Sequence, residues 1–405
     1  MTYTFAYRRY TLPFRTPMRT ARGAWPQREG LLVRLEPETE NGTGNGTEAG
    51  NKTGTRTPFF GECAPLPWFG TETVAESAAA CAALGARVTD AQLDAISEKF
   101  SCLRFALLEG RPPCRPKNSP IANIAPDDTE VVPPEFLPVA ALLPAGRAAL
   151  EKIPALSESG FRAFKWKVGV IGAADPDDEL ALLDDILAAL PANARLRLDA
   201  NGAWTRRVAE RWLARCAARP AIEFIEQPIA PAAASDSAST SASKNSDDSD
   251  DLLLGLAADY PTPLALDESV ATAPALRRWL RLGWPGIFVL KPSLLGDAAE
   301  ILPRLPPDRT VFSSALETAI GARAALRVAF QFYAAAKSIA GFQTCFSRAG
   351  TGLETRDTSP RALGFGVHPL FRDARFDAPP AAPFIRLADL DALTLKPEIL
   401  WNALS

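Results

Sequence analysis

From residue 137 onward, short runs rich in apolar residues alternate with segments whose apolar positions recur at helical spacing. The first pattern predicts buried strands and the second amphipathic helices. Strands are predicted at 137–143, 161–168, 195–200, 222–227, 263–267, 286–291 and 310–314, and helices at 147–158, 206–218, 251–259, 274–282, 297–305 and 322–336. Another helix follows residue 168. It opens at Asp175-Pro176, an N-cap with proline at the first helical position. Roughly seven βα units in succession argue for a parallel sheet, and closing it into a modified (β/α) TIM-type barrel of seven to eight units accommodates them. An eighth strand is expected near 341–345 or 351–354. Residues 1–134 read differently, as an α+β domain of two or three antiparallel strands and helical runs at 73–84 and 91–108. The expected division is therefore 1–134, a barrel at 135–353, and a C-terminal segment at 354–405 that packs back on the first domain.

Two polar stretches interrupt this pattern. Residues 36–56 are rich in Gly, Thr, Asn and Glu and lie between strand-like Gly30-Leu-Leu-Val-Arg-Leu35 and Phe59-Phe-Gly-Glu-Cys63, so they predict an enlarged hairpin tip. Residues 230–251 are Ala/Ser/Asp-rich, too polar to pack, and are expected to be disordered. Neither carries a chemical motif.

Composition narrows the class. With 405 residues, 47% hydrophobic, 22% charged and a net charge of −3, the chain fits a soluble enzyme and gives no case for a nucleic-acid or anionic-membrane partner. No apolar leader or bilayer-length stretch is present, so a cytoplasmic location is expected. Oligomeric state is not legible. The cysteines Cys63, Cys81, Cys102, Cys114, Cys216 and Cys345 are scattered without a CxxC pair and read as small buried hydrophobes. His368 is the only histidine. That excludes histidine-dependent triads and HExxH zinc sites, leaving proton transfer to lysine or a carboxylate.

The chemistry sits at the strand ends. Lys165 and Lys167 close one strand in Phe164-Lys-Trp-Lys-Val168, and Asp199, Glu226 and Asp267 end the next three. Lys291 ends the strand after those, before Pro292. Side chains alternate along a strand, so Lys165 and Lys167 share a face and Arg197, Asp199 and Asn201 share another. If these faces point inward, the residues converge at the C-terminal mouth of the barrel. Three carboxylates suit a hard cation, Mg²⁺ or Mn²⁺, with water and substrate oxygen as further ligands. Such an ion can stabilise an enolate formed when a base removes a proton beside a carboxylate, which makes a small carboxylate the expected substrate class. Desolvation and a nearby cation both lower a lysine pKa, so a neutral lysine can serve as that base. A lone KxK or a single strand-end Asp has a bland reading, solvated surface or helix cap. Six such residues in this order on successive strands do not.

On these residues the chain resembles the enolase superfamily, in its muconate-lactonizing subgroup, which pairs a KxK on the second barrel strand with a lysine on the sixth and metal ligands on the three between. Further stretches carry the likeness: Arg19-Thr-Ala-Arg-Gly-Ala-Trp25 with Arg28-Glu-Gly30, Gly61-Glu-Cys-Ala-Pro-Leu-Pro-Trp68, Lys291-Pro-Ser-Leu-Leu-Gly296 and Ser313-Ser-Ala-Leu-Glu317. The resemblance implies that the N-terminal domain caps the barrel. It also implies dehydration of 2-succinyl-6-hydroxy-2,4-cyclohexadiene-1-carboxylate to 2-succinylbenzoate, a lyase step of menaquinone or phylloquinone synthesis. By that resemblance Lys167 is the base, Lys291 stays cationic on the opposite face, and Lys165 tunes Lys167 and contacts the carboxylate. Ser313 and Ser314 would line the succinyl pocket, and Asn201 would support the ligands. Arg22 is either a substrate contact on a closing loop or a surface arginine. N-acylamino acid racemases, dipeptide epimerases and cycloisomerases share the same lysines and ligands. A non-catalytic barrel scaffold is the reading from another class, and it predicts loss of at least one of the six residues.

Overall fold

The structure is a computed structural model that describes residues 1–20, 23–38, 57–109, 133–169, 177–231, 242–347, 360–392 and 397–404. The N-terminal domain is built on β1 (Thr2–Thr20), β2 (Gly23–Pro37), β3 (Phe59–Cys63) and β4 (Arg87–Thr89), an antiparallel sheet in the order β3-β2-β1-β4. The proposed hairpin tip at 36–56 falls mainly outside the described residues. Helices α1 (Val74–Leu84), α2 (Asp90–Asp94) and α3 (Ser101–Glu109) follow. The single helix expected at 91–108 is thus two. The buried Glu72 carboxylate accepts hydrogen bonds from Cys102 N (3.3 Å) and Leu103 N (2.9 Å), capping a new helix start that sequence spacing does not reveal.

The second body is a parallel barrel. Its strands are β5 (Phe136–Leu143), β6 (Ala163–Lys167), β7 (Arg195–Asp199), β8 (Ile222–Glu226), β9 (Leu264–Leu266), β10 (Ile287–Leu290), β11 (Thr310–Phe312) and β12 (Leu363–Gly366). The outer helices are α4 (Ala148–Glu158), α5 (Asp177–Ala189), α6 (Arg206–Cys216), α7 (Ala242–Asp259), α8 (Ala273–Arg281), the short α9 (Pro292–Leu295) and the long α10 (Ala319–Ser347). β12 pairs with β5, and the bridge Ser313↔Gly364 closes the ring. A short β13 (Phe384–Arg386) pairs antiparallel with β5, and α11 (Leu387–Ala392) and α12 (Pro397–Ala403) end the chain. Trp166, Leu196, Leu198 and Phe164 are fully buried between sheet and helices, next to Trp212 and Ile186.

Three expectations need correction. The eighth strand lies at 363–366, beyond the barrel boundary expected at 353. Residues 341–345 belong to α10, and 351–354 are outside the described residues. The strand was hidden because it reads Leu-Gly-Phe-Gly. A Cβ at Gly366 would meet Ala140 O at 2.3 Å and one at Gly364 would meet Ser313 Oγ at 2.5 Å, so close approach at the seam selects residues of poor strand propensity. Second, α7 starts at Ala242, inside the stretch expected to be disordered. Leu253 and Leu256 anchor it in the core and buried Asp250 pairs with Arg278 at 2.8 Å, so the helix propagates back into polar sequence. Third, the helix expected at 297–305 is replaced by a 3-10 turn, Leu302–Arg304, in a stretch broken by Pro303, Pro306 and Pro307.

Both ends of the chain meet on the N-terminal sheet. Tyr10, Leu12, Phe14 and Leu32 pack with Leu370, Phe371, Phe376, Leu400 and Trp401. Phe14 stacks on Phe371 at 5.8 Å.

Candidate active site

Strand register brings the site together. Lys167 lies beside Asp199 and Asp199 beside Glu226, while Asp267 directly follows β9 and Lys291 directly follows β10. Lys165 and Lys167 are on the half-buried face of β6, opposite the buried Trp166. Lys165, Lys167, Asp199, Asp267 and Lys291, together with Asn201, Ser313 and Ser314, line one cavity of about 1240 Å³ at the C-terminal mouth of the barrel, with Glu226 buried beside Asp199. Arg22 lies outside the described residues.

Lys165 Nζ bridges Asp199 Oδ2 (2.8 Å) and Glu226 Oε1 (2.7 Å), and Lys291 Nζ donates to Asp267 Oδ1. Burial alone would lower the Lys165 pKa, but Asp199, Glu226 and Asp267 reverse that and hold it raised. Lys291 follows the same pattern: burial lowers, while Asp267, Glu268 and Glu226 lift it above the ordinary range. Lys167 differs. Burial pushes its pKa down, and the pull of Asp199 in the other direction does not restore it, with Lys165 adding to the depression. Of the three, Lys167 is the amine most readily found neutral. Burial, with Asp199 and Asp267 nearby, raises Glu226 to about 8, whereas Lys165 keeps buried Asp199 below the usual carboxylate range.

Three carboxylates on neighbouring strand ends are a hard-oxygen donor set, the chemistry that Mg²⁺ or Mn²⁺ takes. Their crowding, visible in the raised Glu226, is the electrostatic condition that a divalent cation relieves. Among the described residues no three acidic, histidine or cysteine side chains surround a single point, because Asp199 and Glu226 turn to Lys165 and Asp267 turns to Lys291. Donor types and registers fit the ion; the rotamers are those of lysine-paired carboxylates.

Several functional neighbours escaped the sequence reading. Gln227, fully buried at φ 38°, donates to Ile229 O and Ser269 Oγ (both 2.8 Å) and accepts from Asp267 N (3.0 Å) and Ser269 N (3.1 Å). It ties the end of β8 to the loop carrying Asp267. Glu268, raised to about 8 by burial and by Asp267 and Asp199, accepts from Asn201 Nδ2 at 3.2 Å, while Asn201 N donates to Asp199 Oδ1 at 3.0 Å. The only sequence signal for either is adjacency to a predicted ligand. The N-terminal domain adds an aromatic wall: Trp25 and Trp68 meet edge-to-face at 5.0 Å, and Phe69 lies 5.1 Å below Lys291 Nζ. Ser313 Oγ donates to Gly364 O (3.2 Å), while Ser314 Oγ donates to Glu317 Oε2 (2.5 Å) and accepts from Leu316 N (2.9 Å), so both hydroxyl protons are held by the protein at the cavity wall. Cys63, Cys81, Cys102 and Cys216 are free, buried thiols.

Comparison with known proteins identifies the family. Residues 148–302 match the model of the enolase C-terminal domain-like family. The o-succinylbenzoate synthase of Thermosynechococcus vestitus strain BP-1 is 38% identical over 325 residues, covering 78% of this chain and 84% of that one. The corresponding enzyme of Pectobacterium atrosepticum is 25% identical over 337 residues, covering 79% and 84%. Among solved structures, o-succinylbenzoate synthase from Thermosynechococcus elongatus BP-1, with Mg in its active site, superposes with a TM-score of 0.66 at 33% identity over 96% of this chain and 98% of that one. A dipeptide epimerase from Enterococcus faecalis shares the fold, with a TM-score of 0.63 at 19% identity over 96% and 97%. The chain belongs to the enolase superfamily and, within it, to the family of the o-succinylbenzoate synthases.

Proposed function

We propose that this protein catalyses the metal-dependent syn dehydration of 2-succinyl-6-hydroxy-2,4-cyclohexadiene-1-carboxylate to 2-succinylbenzoate, working on this small carboxylate in the cytoplasm. The observation that carries the proposal is the arrangement at the strand ends: Lys167 borders the cavity beside Asp199 with its pKa lowered by burial, while Lys165 pairs with Asp199 and Glu226 and Lys291 pairs with Asp267. Syn dehydration needs one base and one fixed cation, which is this arrangement; racemisation needs two proton-exchanging groups on opposite faces. Neutral Lys167 takes the proton from the ring carbon that bears the carboxylate, and the C–H electrons move into that carboxylate. The ring C–O bond then breaks, and the leaving hydroxyl collects the proton from Lys167 on the same face and departs as water. The ring becomes aromatic and Lys167 is neutral again. Lys291, fixed by Asp267 and covered by Phe69, supplies positive charge across the cavity. Asp199, Glu226 and Asp267 would hold Mg²⁺ (or Mn²⁺), which supplies countercharge for the substrate carboxylate as it gains negative charge. Lys165 neutralises Asp199 and Glu226 and depresses Lys167.

Purified protein with Mg²⁺ should convert the cyclohexadiene acid to an aromatic product, followed by the loss of diene absorbance. In D₂O it should put little α-deuterium into N-acylamino acids. Efficient deuteration without dehydration would make racemase the function instead.

A further inference from the structure

Three sequence stretches meet in space: Arg28-Glu-Gly30 on β2, Gly61-Glu-Cys63 on β3, and Ser313-Ser-Ala-Leu-Glu317 after β11. The last forms a wall of the cavity through Ser313, Ser314, Ala315 and Leu316. Leu316 has φ 62°, a left-handed conformation that costs a leucine free energy and persists only where the surroundings impose it.

Those surroundings come from the other domain. Arg28, 1% exposed, donates from Nε to Leu316 O (3.3 Å), and the rest of its guanidinium is committed to the carbonyls of Glu29 (3.1 Å), Pro65 (2.8 Å) and Ala64. Glu62, also 1% exposed, accepts from Thr318 N (3.0 Å), Thr318 Oγ1 and Gly321 N (2.9 Å) at the start of α10, and from Tyr10 Oη. A Cβ at Gly321 would lie 2.8 Å from Glu62 Oε2, so glycine is needed for the carboxylate to reach the helix. On the barrel side Glu317, fully buried, joins Ser314 Oγ (2.5 Å) to Ser293 Oγ (2.6 Å), two residues from Lys291. The wall is gripped on one flank by Arg28, on the other by Glu62, and braced to the Lys291 loop by Glu317. Neither Arg28 nor Glu62 borders the cavity.

We propose that Arg28 and Glu62 are positioning residues: buried charges of the N-terminal domain that fix the Ser313–Thr318 loop of the barrel and so set the fit of the part of the substrate remote from the reacting carbon, which is the succinyl arm. This deepens the proposed dehydration and rests on it. The chemistry is done by groups on β6 and after β10, so loosening this wall acts on binding before it acts on turnover.

The test measures steady-state dehydration and calorimetric binding of 2-succinylbenzoate, in Mg²⁺, for the parent, Arg28→Lys, Glu62→Gln and the double variant. Each single variant should raise KM and weaken product binding by about tenfold while kcat stays within about threefold, the scale expected of a displaced binding wall. Because both act through one loop, the double variant should fall well short of the product of the two effects. Unchanged KM in both variants, a fall in kcat at constant KM, or fully multiplicative effects would overturn the assignment. Should Arg28→Lys fail to fold, Glu62→Gln alone decides by the same KM criterion. Absence of turnover by the parent counts against the reaction. Normal parent turnover with indifferent variants counts against the positioning role alone.

Discussion

Replacing Gln227 by leucine keeps the volume of the side chain and removes its polar ends. In the structure those ends make four hydrogen bonds, and both partners of Oε1 are backbone N–H groups, which fixes the orientation of the amide. Gln227→Leu would strand two buried donors, Asp267 N and Ser269 N, each costing about 1–3 kcal/mol, so the fold should lose roughly 2–6 kcal/mol. That is a large share of the roughly 5–15 kcal/mol available to a folded protein. The same loss unfastens the loop carrying Asp267, and removal of a group that orients a ligand typically weakens metal affinity by about 10–100-fold. Ser269→Ala is the calibrating control, since it deletes one acceptor of Gln227 and should cost about 1 kcal/mol. Urea titration in chelator reads stability, and calorimetric titration with Mg²⁺ reads affinity. If Gln227→Leu stays within about 1 kcal/mol of the parent, and binds Mg²⁺ as tightly, the claim that this amide builds the site is wrong.

Lys167→Ala should lower aromatisation by about 10²- to 10⁴-fold or more through loss of the base, while Lys291→Arg should keep a trace that Lys291→Ala lacks because the cation survives; equal activity of the two Lys291 variants would deny its electrostatic role. The acid limb of kcat/KM should rise as pH passes through the depressed pKa of Lys167, since only its neutral form accepts a proton. Lys165→Met removes one depressing charge and frees Asp199 to act on Lys167, so the limb should move to higher pH; a move to lower pH contradicts the assignment. Excess chelator should abolish turnover and added Mg²⁺ or Mn²⁺ restore it, whereas Glu226→Gln should resist rescue at ordinary metal concentrations; full activity in chelator would dismiss the ion.

Much of the barrel was legible because β6 to β10 are short segments rich in apolar residues, each closed or directly followed by a lysine or a carboxylate, and those ends line or adjoin the cavity. This pattern singled out Asp199, Glu226, Asp267 and the three lysines as candidates, and the structure brings them together. Residues whose work depends on what another element places beside them were not legible. Gln227 is an ordinary amide until Asp267 N and Ser269 N arrive from the next strand, and Leu316 is an ordinary apolar residue until Arg28 takes its carbonyl. Leu363–Gly366 failed the strand test because packing at Ala140 and Ser313 demanded glycine there. The start of α7 failed the helix test because its support comes from leucines further along and from Arg278.

The joining of early and late chain also dictates an order of events during synthesis. β5 cannot gain its β12 neighbour, nor can Tyr10, Leu12 and Phe14 gain their apolar cover, until the ribosome has passed Phe371 and Trp401. At about 5–20 residues per second, the N-terminal sheet waits on the order of 20–80 s with that face open to water. Such a chain, whose contacts span nearly its whole length, should fold slowly and depend on protection from aggregation while it is being made. The active site, lying at the mouth of a barrel that only its last strand can close, would be among the last parts of the molecule to acquire its shape.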